Sequence, residues 1–289
     1  MIGRLLLRGM VVGLFAGLLA FGFAKLFGEP EINNAIAFET RMEAQEHGEE
    51  NGQEHSHAHS HLHGEEAHHT HDHATHDHSA SAETSSPEMM PEPEAISRAT
   101  QAGLGLLTGM TVYGAAMGGL FAIGFACMQG RANGYGARTN SALLALCAFT
   151  ALVLIPFLKY PANPPAVGQA ESIGLRTAWF FIMLALSIGV LLAAIALARW
   201  LSTRYRLWNA LLIGGSFYCL AVGLLYQLLP SFHEVPPGFD ADLLWRFRLA
   251  SLGIQAIFWT TIGLVFGPLA EQVWEQQTGS MPQFRPRKP

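Results

Sequence analysis

Six long apolar runs, separated by short polar segments and by one long polar insert, dominate the pattern of this sequence. Crossing the hydrocarbon core of a bilayer, about 30 Å thick, takes about 17–25 helical residues. Lipid offers no partners to the backbone, so each run is predicted to be a membrane-spanning helix. The runs are Leu5–Phe27, Leu104–Met128, Leu143–Leu158, Thr177–Ala198, Leu207–Leu229 and Leu249–Pro268.

Small residues recur at helical spacing in the first two runs. Gly9, Gly13 and Gly17 stand four residues apart, and the second run contains the pairs Gly105/Gly109 and Gly114/Gly118. Residues four apart share one helix face, where glycine allows two backbones to approach closely. The spacing therefore predicts a helix contact, although small residues are also common in membrane helices that make none.

The polar insert lies between the first and second runs and sets the domain organisation. It is poor in apolar residues and ends in a stretch rich in Ser, Glu and Pro, a composition typical of chain without stable structure. We therefore predict an all-α membrane bundle of about six helices with a disordered, extracytoplasmic His-rich loop after the first. The predicted segments are a first helix with its exit segment (1–38), the loop (39–94), a five-helix bundle (95–270) and a cytoplasmic tail (271–289).

Composition agrees with a membrane protein and excludes several other classes. Half of the residues are hydrophobic and only 13% are charged, against about 25% in a soluble domain. The net charge of −5 comes with no basic stripe, so nucleic acid is not expected as a partner. The three cysteines all fall in apolar runs and include no CxxC pair, which argues against a disulfide framework or a zinc knuckle.

The motifs of common enzymes are also missing. The sequence contains no GxxxxGK[ST], GxSxG or HExxH. Ionisable residues inside a membrane usually mark a pathway, and the apolar runs contain almost none. We therefore expect neither an enzyme nor a proton relay along the helices.

The insert contains the clearest chemical signal of the chain. Twelve of the 13 histidines lie in it, many in His-x-His pairs, and imidazole is the commonest metal ligand near neutral pH. A His-rich tract of this kind predicts metal binding; the alternative is a polar linker without a defined ligand. The candidate ligands are His47, His55, His57, His59, His61, His63, His68, His69, His71, His73, His76 and His78.

Further candidate residues lie in loops near the ends of the predicted helices. His233 and Glu234, followed by Asp240 and Asp242, combine an imidazole with three carboxylates between prolines. Proline-rich backbone near a membrane can offer carbonyl oxygens to an ion, although a rigid solvated loop has the same composition.

Four more residues join this set of possible pathway residues. Tyr160 and Asn163 lie in the proline-rich segment 156–168, where the prolines are expected to stop the third helix. For Tyr160, as for Trp245, we prefer the interpretation as an anchor at the membrane interface. Glu29 and Glu39 flank the insert, and either could pass metal toward the helices or be a solvated flank.

The basic residues predict an orientation. Lys and Arg concentrate in cytoplasmic loops, and ten of the 17 fall on the side that holds both termini. That side is predicted to be cytoplasmic, which places the His-rich loop in the periplasm. The ten are Arg4, Arg8, Arg131, Arg138, Arg199, Arg204, Arg206, Arg285, Arg287 and Lys288.

Two segments carry a resemblance to a known family. The chain resembles the CbtA-type cobalt transporter family over nearly its whole length. The segments that carry the resemblance are GEPEINNAIAFE (28–39), after the first run, and PFLKYPANPPAVG (156–168), with Arg176 after it. The resemblance implies a bacterial inner-membrane protein that works with a small single-span partner bearing its own His motif. The matching residues are Glu29, Pro30, Glu39, Pro156, Lys159, Tyr160, Pro161, Asn163, Pro164, Pro165 and Arg176.

Together these features predict a membrane subunit that takes up a divalent transition metal, with Co²⁺ the favoured cargo and a periplasmic His-rich loop that captures the ion. Ni²⁺ and Zn²⁺ stay open, because imidazole binds several of these metals and affinity alone does not select cobalt. A membrane protein that stores or senses metal without transporting it is the alternative from another class.

Overall fold

The computed structural model describes residues 2–54, 97–129, 136–232 and 234–278, and these ranges contain six helices that can span a membrane. All regular structure in these ranges is helical, which confirms the predicted fold class. The helices long and apolar enough to cross a membrane are Ile2–Gln45, Arg98–Gln129, Ala137–Lys159, Ile173–Ser202, Leu207–Leu228 and Ala241–Val273.

The first span and the chain after it form one uninterrupted helix. Helix α1 (Ile2–Phe23) continues through a π-helical segment (Ala24–Gly28) into α2 (Glu29–Glu54). The helix therefore extends beyond Glu39 into the segment predicted to lack structure. Good helix formers such as Glu, Ala, Gln and Met fill the stretch after Glu39, which favours continuation of the helix.

The second and third spans also contain π-helical segments. After the N-cap Ser97, α3 (Arg98–Thr100) passes through Gln101–Gly105 into α4 (Leu106–Gln129). The third span consists of α5 (Ala137–Ala148), the π segment Phe149–Leu154 and α6 (Ile155–Lys159).

Pro156 does not stop the third helix, contrary to the expectation from sequence. It lies in the first turn of α6, directly after the π segment. Proline lacks the N–H of the regular i→i−4 bond, and the π segment before Pro156 already departs from that bonding pattern. The third span is therefore 23 residues long, and the irregular loop begins at Tyr160.

The remaining spans are regular. A short 3₁₀ turn (Ala170–Ser172) leads into α7 (Ile173–Ser202), which is followed by α8 (Leu207–Leu228). The last helix, α9 (Ala241–Thr278), contains Pro268.

Helix α9 is central to the packing. It contacts α1 on one side and α5 on another, whereas α7 and α8 pack mainly on each other. Phe125, Ile262 and Phe266 are almost fully buried in the core between α1, α4, α5 and α9. The Ser141 hydroxyl donates to the Gly263 carbonyl at 2.8 Å and ties α5 to α9.

Helices α1 and α4 pack with their backbones in direct contact. Gly9 faces Gly118, Gly13 lies between Gly114 and Gly118, and Gly17 lies against the Met110 carbonyl. A Cβ on Gly13 would overlap the Gly114 carbonyl oxygen and lie 2.8 Å from the Cα of Gly118. The predicted glycine contact is therefore confirmed for Gly9, Gly13 and Gly17.

Different contacts between helices and loops are found at the two ends of the bundle. At one end, Arg8 donates to the Leu269 carbonyl and Arg138 pairs with Glu271 at 2.7 Å. At the other end, which we call the proline-loop end, the segments 160–168 and 229–240 lie together with the start of α2. The two ends of the described bundle therefore have different contacts, and the assignment of one end to the cytoplasm stays a prediction.

We expect Gly13→Ala to lower the thermal stability of the detergent-solubilised protein. The added methyl group has no room between α1 and α4, and overpacking of this kind costs about 1–3 kcal/mol. Gly22→Ala is the matched control, because nothing lies within 4 Å of a Cβ at Gly22 in the same helix. Thermal unfolding of both variants is the measurement, and equal melting temperatures would contradict the packing role.

Candidate functional site: a loop junction above an interhelical cavity

Two irregular loops meet at the proline-loop end. Tyr160 is buried, and its hydroxyl donates to the Pro230 carbonyl at 2.8 Å. Lys159 Nζ donates to the Tyr226 carbonyl at 2.9 Å and lies 2.8 Å from Ser231 Oγ. Burial raises the pKa of the Tyr160 phenol, so the hydroxyl stays protonated and able to donate. Tyr160 therefore joins the loops, and its buried position does not fit an anchor in lipid.

An ion pair reinforces the same junction. Arg176 Nη1 lies 2.9 Å from Glu234 Oε2, and only 9% of the Glu234 side chain is exposed. Gly168 has a φ of +125° beside this pair, and a Cβ there would lie 2.8 Å from Arg176 Nη1. Glycine at 168 thus provides both a left-handed backbone and space for the guanidinium.

Arg248 of α9 connects the junction to the sixth span. Its Nη2 donates to Asn163 Oδ1 at 3.2 Å, and its Nε approaches the Ala162 carbonyl at 3.4 Å. The oxygen of Asn163, one of the predicted pathway residues, is therefore engaged by a guanidinium. The arrangement holds the proline loop against the beginning of α9.

A cavity of about 760 Å³ lies below the junction, between the spans. Its walls come from α4, the third span, α7 and α9. Tyr160, Asn163 and Arg176 line it near the loops, and most of the remaining wall is aromatic or aliphatic. Further lining residues include Tyr113, Met117, Phe157, Phe181, Ser251, Gln255 and Trp259.

Two polar atoms in the cavity wall are buried without a protein partner. They are Gln255 Oε1 and Trp259 Nε1, both on α9. An unpaired buried donor or acceptor costs about 1–3 kcal/mol. Sequence reasoning missed both residues because Gln and Trp are uncharged; their spacing with Ser251, at i, i+4 and i+8, was the available signal.

Glu29 and Glu39 have different surroundings. Glu29 is buried, and its carboxylate lies 2.9 Å from Arg98 Nη2, at the start of the second span. Glu39 is exposed on α2. Lys25 adds a second link between the same spans, because its Nζ donates to the Ala102 carbonyl at 3.1 Å. Arg98 was not among the residues predicted to matter.

Asp240 of the 229–240 segment and Asp242 of α9 have partners other than those of Glu234. Asp240 Oδ1 accepts from the Asp242 N–H at 2.9 Å and caps α9, while Asp242 pairs with Arg246 at 2.6 Å. Both line a small recess of about 140 Å³ with Glu31 and Asn34. Within the described ranges, no group of three His, Cys, Asp or Glu is placed to hold a metal ion.

The predicted histidine ligands lie in parts of the chain that the structure does not describe, apart from the backbone of one of them. Residues 55–96 and His233 lie outside the described residues, and only the backbone of His47 is described, within α2. Metal binding by the His-rich tract therefore stays a prediction. The junction and the cavity are the parts of the predicted pathway whose geometry is known.

The described fold defines a polytopic α-helical membrane protein with an interhelical cavity beneath one loop face. A family model described as "Probable cobalt transporter subunit (CbtA)" matches residues 2–271, nearly the whole chain. The chain belongs to the CbtA family, which confirms the predicted resemblance. No curated protein and no solved structure matches the chain.

We expect Arg176→Gln to destabilise the protein more than Arg246→Gln. Removal of Arg176 leaves the buried Glu234 carboxylate without its charged partner. We expect a loss of about 2 kcal/mol, between the 0–1 of an exposed pair and the 3–5 of a fully buried one. Arg246 pairs with Asp242 in an exposed position, with both side chains at least 60% accessible.

Thermal unfolding of both variants in detergent is the measurement. Two equal shifts in melting temperature would show that the Arg176–Glu234 pair adds no more than a surface pair does.

Proposed function

We propose that this protein is the membrane subunit of an uptake system for a divalent transition metal, with Co²⁺ as the favoured cargo. The observation that carries the proposal is membership of a family described as cobalt transporter subunits. Six apolar helices, four of which line a cavity, support it, because a transporter needs a protein-lined space within the bilayer.

The His-rich tract captures the ion in this proposal. Twelve imidazoles in one insert offer many near-equivalent ligand sets, which favours loose, exchangeable binding over a single tight site. The tract raises the local concentration of metal at the mouth of the bundle. Selectivity then resides in the loops or between the helices.

The proposed location is the bacterial inner membrane, with both termini cytoplasmic and the His-rich loop periplasmic. The distribution of Lys and Arg supports this orientation. In this orientation the proline-loop end, with Glu234 and the cavity, opens toward the periplasm. The ion then arrives at the face where the insert begins and ends.

The residues proposed for the pathway divide into two roles. Tyr160, Asn163 and Glu234 frame the mouth of the cavity through their bonds to Pro230, Arg248 and Arg176. Glu29, Glu39 and His233 are proposed to pass the ion from the tract to that mouth. Glu29 does so only when its bond to Arg98 opens.

A partner is part of the proposal. The family description names a subunit, and the resemblance implies a small single-span protein with its own His motif. Ni²⁺ or Zn²⁺ by the same route is the second candidate cargo, since imidazole ligands suit both metals. The alternative from a different functional class is a membrane protein that stores or senses the metal without transporting it.

We expect deletion of the gene together with that of its partner to abolish high-affinity cobalt uptake. Cells at limiting metal are given ⁵⁷Co²⁺, and initial rates are compared with and without a tenfold excess of Ni²⁺ or Zn²⁺. Strong competition by one of these metals would change the assigned cargo. Unchanged ⁵⁷Co²⁺ entry in the deletion strain would exclude cobalt uptake and favour storage or sensing.

We expect replacement of all twelve tract histidines by Gln to reduce uptake at limiting cobalt and to restore it at high cobalt, because a collector matters only when the ion is scarce. His61→Gln alone is the matched control and should leave the rate unchanged, since neighbouring pairs substitute for it. Normal uptake by the twelve-fold variant at limiting metal would show that the tract does not collect the cargo.

A further inference from the structure

The turn between α7 and α8 brings exposed basic and aromatic side chains together. Residues 199–208, which we call the α7–α8 turn, read RWLSTRYRLW and include three arginines and three aromatic residues. All six of these residues are exposed, Trp200 at 58% and Trp208 at 70%. No Asp or Glu occurs between Glu171 and Glu234, so the hairpin of α7 and α8 has no acid of its own to neutralise the arginines.

The aromatic residues place this turn at a membrane surface. Helix α7 begins at the proline-loop end, where Arg176 pairs with Glu234. Trp200 lies roughly 36 Å along the helix from Arg176, at 1.5 Å per residue, which exceeds the hydrocarbon thickness of about 30 Å. Trp200 therefore reaches the opposite interface, and Trp208, in the first turn of α8, returns to the same level. Trp is enriched at the level of the lipid headgroups.

Hydrogen bonds fix the backbone that carries the arginines. The Thr203 hydroxyl donates to the Trp200 carbonyl at 2.7 Å, and the Ser202 hydroxyl donates to the Arg199 carbonyl at 2.8 Å. These bonds give partners to carbonyls in the last turn of α7, which have none within a helix. The three guanidinium groups therefore extend from an ordered turn.

The arginines of the turn lack the partners that other arginines at this end have. Arg8 donates to a carbonyl of α9, and Arg138 pairs with Glu271. In the part of the chain that the structure describes, none of the three arginines of the turn pairs with a carboxylate. The Cζ of Arg204 lies 5.6 Å from the centre of the Trp200 ring. This cation–π contact holds the guanidinium but occupies none of its five N–H donors.

The charge and the position of the turn identify its occupant. An anionic phospholipid brings a phosphate to the level of the indole rings, and the phosphate oxygens match the N–H fork of a guanidinium. A zwitterionic headgroup carries its own cation beside the phosphate, so three arginines attract it less. The exposed rings of Trp200 and Trp208 favour a lipid over an acidic partner from the aqueous phase, because these rings prefer the membrane interface.

The hairpin of α7 and α8 also has the least protein around it. Only 17% of the apolar stretch of α7 and 11% of that of α8 are buried, against at least 28% in each of the other spans. Helix α8 packs mainly on α7. A headgroup held at the turn therefore stabilises the position of two helices that few protein contacts hold.

We propose that the α7–α8 turn binds the phosphate headgroup of an anionic phospholipid and that this contact anchors the hairpin. The guanidinium groups of Arg199, Arg204 and Arg206 donate to the phosphate oxygens, while Trp200 and Trp208 hold the turn at headgroup level. The contact depends neither on the transported cargo nor on which leaflet this end faces.

Lipid binding measured by native mass spectrometry tests the site. The full chain in a non-ionic detergent is titrated with phosphatidylglycerol or with phosphatidylcholine, and inorganic phosphate is added as a competitor. One variant removes the whole cluster: Arg199→Gln, Arg204→Gln and Arg206→Gln together. The matched control removes the same charge from exposed positions elsewhere in the chain: Arg4→Gln, Arg41→Gln and Arg246→Gln together.

We expect the unmodified protein and the matched control to bind phosphatidylglycerol equally well and more tightly than phosphatidylcholine. The cluster variant should bind phosphatidylglycerol roughly 100-fold more weakly, about fivefold for each arginine. Inorganic phosphate should not displace the lipid at equal concentration, because it has no acyl chains to place it at the turn. Equal affinity of the cluster variant and the control, no preference over phosphatidylcholine, or displacement by inorganic phosphate would each show that the turn is not this site.

Thermal unfolding in lipid discs tests the anchoring. We expect equimolar phosphatidylglycerol and phosphatidylcholine, compared with phosphatidylcholine alone, to raise the melting temperature of the unmodified protein and of the matched control. The cluster variant should gain less, because a ligand stabilises only a fold that binds it. Equal gains in the two variants would show that lipid at the turn does not anchor the hairpin.

Discussion

The close contact between α1 and α4 is the constraint on which the described bundle depends. The two helices approach until the backbone of Gly13 meets that of Gly114 and Gly118, a distance that only glycine permits. Helix α1 also packs on α9, so α4 and the sixth span both lie against the first helix.

The same contact bears on the His-rich insert. The two helices that flank the insert are held together along their length, and the links from Lys25 to Ala102 and from Glu29 to Arg98 close the pair at the proline-loop end. The return point of the insert at Ser97 is thereby fixed beside the start of α2. Whatever the insert binds is tethered at one face of the bundle.

The sequence correctly predicted those parts of the structure that depend on local patterns of residues. Apolar length identified the six spans, and the four-residue spacing identified the contact at Gly9, Gly13 and Gly17. The pair Gly105/Gly109 shows the limit of such spacing, since nothing lies within 4 Å of a Cβ at Gly109. Spacing defines a face, but only the fold determines what covers it.

Local sequence patterns could not predict the loop junction. Arg176 and Glu234 are 58 residues apart in the sequence, and no local rule pairs them. Gln255 was missed for a different reason: a search for ionisable groups overlooks a neutral amide, although a buried amide oxygen without a protein partner is unusual enough to be informative. Pro156 was misread because the preceding π segment was not anticipated.

That π segment, Phe149–Leu154, has a geometric consequence for the loop that follows it. A π turn accommodates one residue more than an α turn, so removing a single residue there would rotate everything after it by about 100°. Lys159 and Tyr160 would then point away from Tyr226 and Pro230. The phase of the third helix, set by one additional residue, thus aligns the proline loop with the 229–240 segment that it contacts.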